Sequence, residues 1–236
     1  MRDRITPGLR YCQDYYEDEL RALVTPQTRW LDAGCGHQVL GSWRFEAEKE
    51  LVGKARSVVG VDPDVNSVSK HRTISTIKLG TLEALPFPPN SFDLATANMV
   101  VEHLADPVSA FSEVSRILVP GGIFLFHTPN VKSYAVGLTK RFPDPLKRLA
   151  ARVLEARKPE DVYPTYYRCN CSDVIRDVAR RAGLEVVSIS HVASDAVFAL
   201  ILPLAALELL WIKITMTEGA ASQRTNLIVT LRKPIL

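Results

Sequence analysis

The chain has 236 residues, 47% of them apolar, and a formal net charge of +3. This length suits one sizeable domain, and the apolar share is enough to bury a core, so wholesale disorder is excluded. So mild a charge does not mark a nucleic-acid binder, which needs a concentrated basic face, and no nucleic-acid partner is expected. The four cysteines, Cys12, Cys35, Cys169 and Cys171, form no disulfide framework and read as reduced thiols of a cytoplasmic protein. Cys169 and Cys171 have no second pair at zinc-ligand spacing, so no metal is expected there.

The opening "MRDRITPGLRYCQDYYEDEL" has no apolar h-region and is not expected to be a signal peptide. Tyr11, Tyr15 and Tyr16 fall on one side of a helix there, as a lid or as core. "TRWLDA" reads as a strand, "SWRFEAEKELVGKA" as a helix, "SVVGVD" as a short strand ending in Asp62, and "PDVNSVSKHR" as a helix opened by Pro63. "ISTIKLG" and "NSFDLATANM" are further strands. "DPVSAFSEVSRIL" is a helix stopped by Pro120-Gly121-Gly122, and "GIFLFHTPN" is a strand. Later, "SDVIRDVARRAG" is a helix with Ser172 as N-cap and Gly183 past its end, and "LEVVSIS" and "TNLIVTLR" are strands. Such alternation calls for a doubly wound α/β fold with a mostly parallel sheet and helices on both faces.

The chemistry begins at the end of the first strand, in Asp32-Ala33-Gly34-Cys35-Gly36. Ligands of open α/β sheets bind beyond the carboxyl ends of strands where strand order reverses. Two glycines let the backbone turn sharply and let a ligand lie against it. A dinucleotide fingerprint would put a third glycine where Val39 stands, and Asp32 would sit badly beside a pyrophosphate. An acid suits a cationic arm instead, and Asp62 at the next strand end suits ribose hydroxyls.

"LDAGCG", "VVGVD", "GTLEALPFPPNSFDLATANMVVEHLADP" and "RILVPGGIFLFHTPN" resemble, in order and spacing, the successive motifs of class I S-adenosylmethionine-dependent methyltransferases. Within that family the chain resembles the ubiquinone-biosynthesis-like enzymes and those of bacterial glycan and natural-product clusters. The likeness is strong over residues 28–130 and loose elsewhere. It implies a Rossmann-like methyltransferase fold, a seven-stranded sheet with a reversed last strand, and S-adenosyl-L-methionine as cofactor. It implies that Asp32 and the Gly34–Gly36 loop hold the methionine end, that Asp62 holds the ribose, and that "GTLEALPF" surrounds the adenine. The candidate cofactor-binding set is Asp32, Ala33, Gly34, Cys35, Gly36, Asp62, Pro63, Thr81, Leu82, Glu83 and Asn98. Thr81 stands where the family usually has an acid, and Gln38 where it usually has a small residue.

Methyl transfer from a sulfonium needs alignment and, for a hydroxyl acceptor, a base. His127, ending "GIFLFH", is expected at the pocket rim as base or substrate ligand; the alternative is a hydrogen-bonded histidine that fixes the Pro129 turn. His103 in "VVEHL" is the second catalytic candidate, and otherwise orders its loop with Glu102. Met99 replaces the acid with which some relatives hold a divalent metal, so no metal site is expected. Tyr166, Tyr167 and Arg168 in "YPTYYRCN" are candidate acceptor contacts, with Arg168 suited to a phosphate or carboxylate; the alternative is a packed aromatic corner.

Residues 131–158 carry eight basic side chains against Asp144 and Glu155, and residues 196–212 carry one charge, Glu208. Together they suggest peripheral attachment to an anionic bilayer; a homodimer interface or a buried helix is the alternative. The expected organisation is a single domain, 1–236: a lid helix in 1–27, a cofactor core in 28–130, a basic insert or acceptor cap in 131–170, and a C-terminal helix, late strands and apolar segment in 171–236. The expected activity is methyl transfer to a small-molecule, glycan or lipid-linked acceptor, with oxygen the expected acceptor atom. Its rivals are an inactive cofactor-binding fold serving as a complex partner and a nicotinamide-dependent oxidoreductase.

Overall fold

The computed structural model describes residues 2–141, 164–194, 196 and 202–235. Seven strands form one sheet: β1 (Arg29–Ala33), β2 (Ser57–Asp62), β3 (Ile77–Leu79), β4 (Phe92–Asn98), β5 (Leu118–Pro129), β6 (Glu185–Val192) and β7 (Asn226–Arg232). Their order is β3-β2-β1-β4-β5-β7-β6. The first five strands run parallel, and β7 alone is reversed, antiparallel to both β5 and β6. The expected sheet with a reversed last strand is what the chain forms. Strand order turns back between β1 and β4, so the crevice for a ligand opens there, at their carboxyl ends.

Both faces are covered at the centre of the sheet, so central strands such as β1 alternate between two apolar cores, whereas the edge strands β3 and β6 carry exposed residues. On β1, Leu31 and Ala33 join the core that holds Phe111, Phe124, Phe126 and Ile175. Trp30 points the other way, into the core of Tyr16, Leu20, Leu51 and Leu125. The helices that supply these partners are α2 (Cys12–Leu23) and α3 (Phe45–Lys54) on one face, and α5 (Pro107–Ile117) and α7 (Ser172–Arg181) on the other. The remaining α-helices among the described residues are α1 (Arg2–Ile5), α4 (Val65–Val68), α6 (Tyr134–Arg141) and α8 (Leu202–Thr215).

Several boundaries differ from the sequence expectation. The first long helix begins at Phe45; residues Ser42–Arg44 form a 3-10 turn, which leaves an extended loop after Gly36. The helix expected from Pro63 is only the four residues of α4, capped by the Asp64 side chain on the Asn66 amide. Helix α5 stops at Ile117, before Pro120-Gly121-Gly122, because the chain turns directly into β5; Gly121 takes φ +81 within that strand. The N-cap of α7 is Cys171, not Ser172, whose hydroxyl lies 3.1 Å from His191 Nε2. Gly183, in the left-handed region at φ +71, follows α7 as expected.

Residues 202–212 of the apolar segment lie in α8, which buries Leu209 and Ile212 against Leu9 and Ala193, while residues 197–201 lie outside the described residues. Its one acid, Glu208, is buried and accepts a 2.6 Å hydrogen bond from the Tyr134 hydroxyl at the start of α6. Leu204, Leu207, Leu210, Trp211 and Ile214 remain exposed. Among the described residues, no helix is long and apolar enough to cross a membrane. Lys147, Arg148, Arg152, Arg157 and Lys158 of the basic insert lie outside the described residues.

Candidate active site

A cleft of about 280 Å³ opens where β1 and β4 diverge. Its floor holds Asp32 and Gly34 from the end of β1, and Asn98 and Met99 from the end of β4. Its walls are Gln13 and Tyr11 from the start of α2, and the loop Gln38–Gly41 with Trp43. The loop after β1 turns through Gly34 (φ +71) and Gly36 (φ +51), while the Gly34 and Cys35 amides donate to the Val61 carbonyl of β2 at 2.7 and 3.2 Å. The two glycines serve different ends. A Cβ on Gly34 would stand 2.4 Å from a Val100 methyl, so close packing forbids one. A Cβ on Gly36 would meet nothing within 4 Å, so open space lies beside that backbone.

Asp32 is buried, and its Oδ1 accepts a 2.5 Å hydrogen bond from the Thr96 hydroxyl, which itself accepts from Trp30 Nε1 at 2.7 Å. Burial pushes the Asp32 carboxyl up to about 7; the Thr96 hydrogen bond resists, and the negative charges of Glu48 and Asp62 add to the rise. Asp62 holds the neighbouring loop. Its Oδ2 accepts from the Gly36 amide at 2.9 Å and its Oδ1 from the Asp64 amide at 2.8 Å.

Two networks fix the walls. Asn98 donates from Nδ2 to Gln13 Oε1 at 3.0 Å and to the Val39 carbonyl at 3.3 Å; its Oδ1 accepts from Gln13 Nε2 at 3.2 Å and lies 2.9 Å from His127 Nδ1. On the other wall, Glu48 of α3 is fully buried and accepts from the Val39 and Leu40 amides at 3.2 and 2.9 Å. It is paired with Arg72, whose guanidinium also donates to the Leu40 and Gly41 carbonyls. Burial alone would disfavour the Glu48 charge, yet Arg72, the Thr73 hydroxyl and the Leu40 amide hold its carboxyl below the ordinary value.

Residues 31–126 match the methyltransferase domain family, and they span the strand ends and loops just described. Over these residues the chain is similar to class I S-adenosylmethionine-dependent methyltransferase domains. The cofactor of such domains is S-adenosyl-L-methionine. An uncharacterized methyltransferase of Schizosaccharomyces pombe is 32% identical over 131 residues, which are 46% of this chain and 47% of that one. A demethylmenaquinone methyltransferase of Staphylococcus aureus is 36% identical over 106 residues, 42% of each chain. The chain thus spans less than half the length of these curated relatives. A crystal structure of an S-adenosylmethionine-dependent methyltransferase from Mesorhizobium loti shares the fold with a TM-score of 0.55 at 20% identity, over 91% of this chain and 96% of that one.

Within the methyltransferase domain the expected site residues separate. Asp32, Gly34 and Asn98 meet in the cleft. Gly36 and Asp62 lie together on the β2 side of the same loop. The Ala33 and Cys35 side chains turn into the core, and the Cys35 sulfur fills the place a Cβ on Gly60 would need. Pro63 and Thr81 are exposed, Leu82 is buried, and the Thr81 backbone closes a turn with Ala84.

His127 is not at the rim. It is 1% exposed, beneath Asn98, with Nε2 3.2 Å from Asn226 Oδ1 on β7, and burial pushes its imidazole down to about 4. His103 ends a 3-10 turn outside the cleft lining, with Nδ1 2.8 Å from the Pro164 carbonyl. Tyr166, Tyr167 and Arg168 do not reach the cleft either. The Tyr166 and Tyr167 amides donate to the Glu102 carbonyl, and Arg168 donates to the Ala105 carbonyl while its guanidinium lies 5.4 Å from the Tyr166 ring. Gln13, Trp43, Glu48 and Arg72 were not singled out from sequence. Glu48 is one of several acids in "EAEKE", and nothing local says that it turns inward.

Proposed function

We propose that this chain transfers a methyl group from S-adenosyl-L-methionine to a small-molecule, glycan or lipid-linked acceptor, with oxygen as the acceptor atom. The observation that carries the reading is the pairing of two acids at consecutive strand ends, Asp32 in the cleft and Asp62 on the Gly36 amide, around one glycine loop. In this reading Asp32 and the Gly34 turn hold the cationic methionine arm. The open side of Gly36 lets the nucleoside lie against backbone, and Asp62 accepts from the ribose hydroxyls. Thr81, Leu82 and Glu83 bound the adenine, and Pro63 borders the ribose.

The cofactor supplies an activated methyl on a sulfonium, so the chain's task is alignment and exclusion of water. Gln13 from the wall and Asn98 from the floor, tied to each other, present amide groups to the cleft. His127 acts below them by holding Asn98. A base drawn from this histidine would require the imidazole to leave its buried position.

A lipid-linked acceptor is favoured over a free one by α8. On a helix of 3.6 residues per turn, Leu204, Leu207, Leu210, Trp211 and Ile214 fall within about 120° of arc, and all five are exposed. Such a face suits the headgroup boundary of a bilayer.

The test is calorimetry with S-adenosylmethionine, S-adenosylhomocysteine and both nicotinamide cofactors, followed by an acceptor screen read by S-adenosylhomocysteine release. Micromolar binding of the first two, worth about 8 kcal/mol, is expected. Binding of a nicotinamide cofactor in their place would overturn the reading. Cofactor binding without turnover on any hydroxylated or sugar acceptor would favour the inactive fold.

A further inference from the structure

We propose that Tyr11 and Trp43 form a rigid aromatic wall at the mouth of the cleft that selects a planar, conjugated ring as the methyl acceptor. This rests on the methyltransferase reading above and names its substrate class.

Trp43 is 61% exposed although it lines the cleft. Its ring folds back over Gly41, so closely that a Cβ there would stand 2.7 Å from it, and meets the Tyr11 ring at 5.5 Å between centroids with 52° between planes. A large exposed aromatic on a loose loop would be unremarkable surface. This loop is not loose. The buried Glu48 carboxylate takes the Val39 and Leu40 amides, and Arg72, paired with it, takes the carbonyls of Leu40, Gly41 and Ser42. The backbone polar groups of 39–42 are thereby held from both sides by an ion pair whose acid is fully buried.

Such support beneath a surface loop is what a preorganised binding wall requires. It fixes the ring of Trp43 without covering it, so the face is left for a ligand. Tyr11, the N-cap of α2, comes from the opposite wall. Val39, Leu40 and Met99 continue the apolar lining inward, and the Gln13–Asn98 amides form the polar end. A flat ring stacked against Trp43 with one oxygen toward those amides satisfies both ends. A saturated ring of the same size leaves the aromatic face with poorer contact, because offset stacking requires a second π surface. In the reading above, the adenosine end lies on the β2 side of β1 with Gly36 and Asp62 and the methionine arm lies on Asp32 and Gly34, which leaves the Tyr11 and Trp43 wall to the acceptor.

The experiment titrates 2-naphthol and decahydro-2-naphthol into the full chain saturated with S-adenosylhomocysteine, by calorimetry. 2-Naphthol is expected to bind at least about tenfold more tightly than its saturated analogue. Trp43→Ala should abolish that preference and Trp43→Phe should keep most of it, with S-adenosylhomocysteine affinity within about twofold in all three proteins. The exposure of Trp43 predicts that both variants fold. Equal affinity for the two alcohols, binding of neither, a preference that survives Trp43→Ala, or a matching loss of S-adenosylhomocysteine affinity in Trp43→Ala would each overturn the proposal. Failure of the wild type to bind S-adenosylhomocysteine would instead overturn the methyltransferase reading on which the proposal rests.

Discussion

Gln13 on α2 and Asn98 at the end of β4 hold each other by two amide hydrogen bonds, at 3.2 and 3.0 Å, across 85 residues of sequence. This exchange ties the N-terminal helix to the strand end that forms the cleft floor. Asn98→Ala removes three partners at once, those of Gln13, Val39 and His127. It should cost about 2–3 kcal/mol, and Gln13→Ala about 1 kcal/mol. In a double-mutant cycle by urea denaturation the two should couple by about 1 kcal/mol. Strictly additive losses would show that the amide pair does not fasten α2.

His127 and Asp32 should pull stability in opposite directions over the same pH range. The buried imidazole sits at about 4 against an ordinary 6.5, so between these values the unfolded chain binds the extra proton and stability rises with pH. Asp32 sits at about 7 against an ordinary 3.8, so the folded chain binds the extra proton and stability falls with pH. Each contribution is of the order of 3–4 kcal/mol and they largely cancel. His127→Asn should therefore steepen the fall in stability from pH 4 to 7, measured without cofactor, and Asp32→Asn should steepen the rise. A wild-type slope shared by both variants would refute the assignment. Turnover should show no acid limb at 6.5 belonging to His127; a limb there that His127→Asn abolishes would restore it as a base.

Cofactor binding should release a proton. Burial holds the Asp32 carboxyl up at about 7, and a cationic methionine arm beside it favours the ionised form. Calorimetry in buffers of different ionisation enthalpy should find net proton release on binding, larger at about pH 6 than at about pH 8. Binding heats that do not depend on the buffer would place the cation away from Asp32.

Asp62 and Thr81 should differ sharply. Asp62→Ala removes the anchors of the Gly36 and Asp64 amides as well as the proposed ribose contacts, so S-adenosylhomocysteine should bind about 2–4 kcal/mol more weakly. Thr81 is exposed and contributes through its backbone turn, so Thr81→Ala should have a much smaller effect. Equal losses would mean that the Thr81 hydroxyl carries adenine recognition.

What was legible in the sequence is what depends on neighbours in the chain. The apolar runs that end in Asp32 and Asp62 declare the strand ends, because period and terminating residue are local. The burial of His127 was not legible, since the residue opposite its Nε2, Asn226, lies 99 positions away on the reversed strand. A rim position for the end of β5 is the natural local reading, and tertiary packing overrode it. The inward turn of Glu48 likewise depends on Arg72, 24 residues further on across a loop. The glycine at 34 was readable as a turn, but the reason no other residue fits is the Val100 methyl, which only the folded chain brings there.

The outer face of α8 supplies the last prediction. Leu207 is 65% exposed and Leu204 44%, while Leu209 and Ile212 on the opposite side carry the packing. If the exposed arc meets a bilayer, the wild type should sediment with vesicles of phosphatidylcholine and phosphatidylserine at low salt. High salt should release only part of it, since charges such as those of Lys147 and Arg148 in the sequence contribute about 1 kcal/mol each only near the surface and are screened. The inserted apolar face does not respond to screening. Leu204→Ser with Leu207→Ser should abolish the salt-resistant fraction and leave S-adenosylhomocysteine affinity unchanged, because neither residue lines the cleft between β1 and β4. A wild type that stays in the supernatant at low salt would remove the membrane reading. A double variant that loses a dimer on gel filtration would assign the face to a second copy of the chain, and the acceptor would then be sought among soluble molecules.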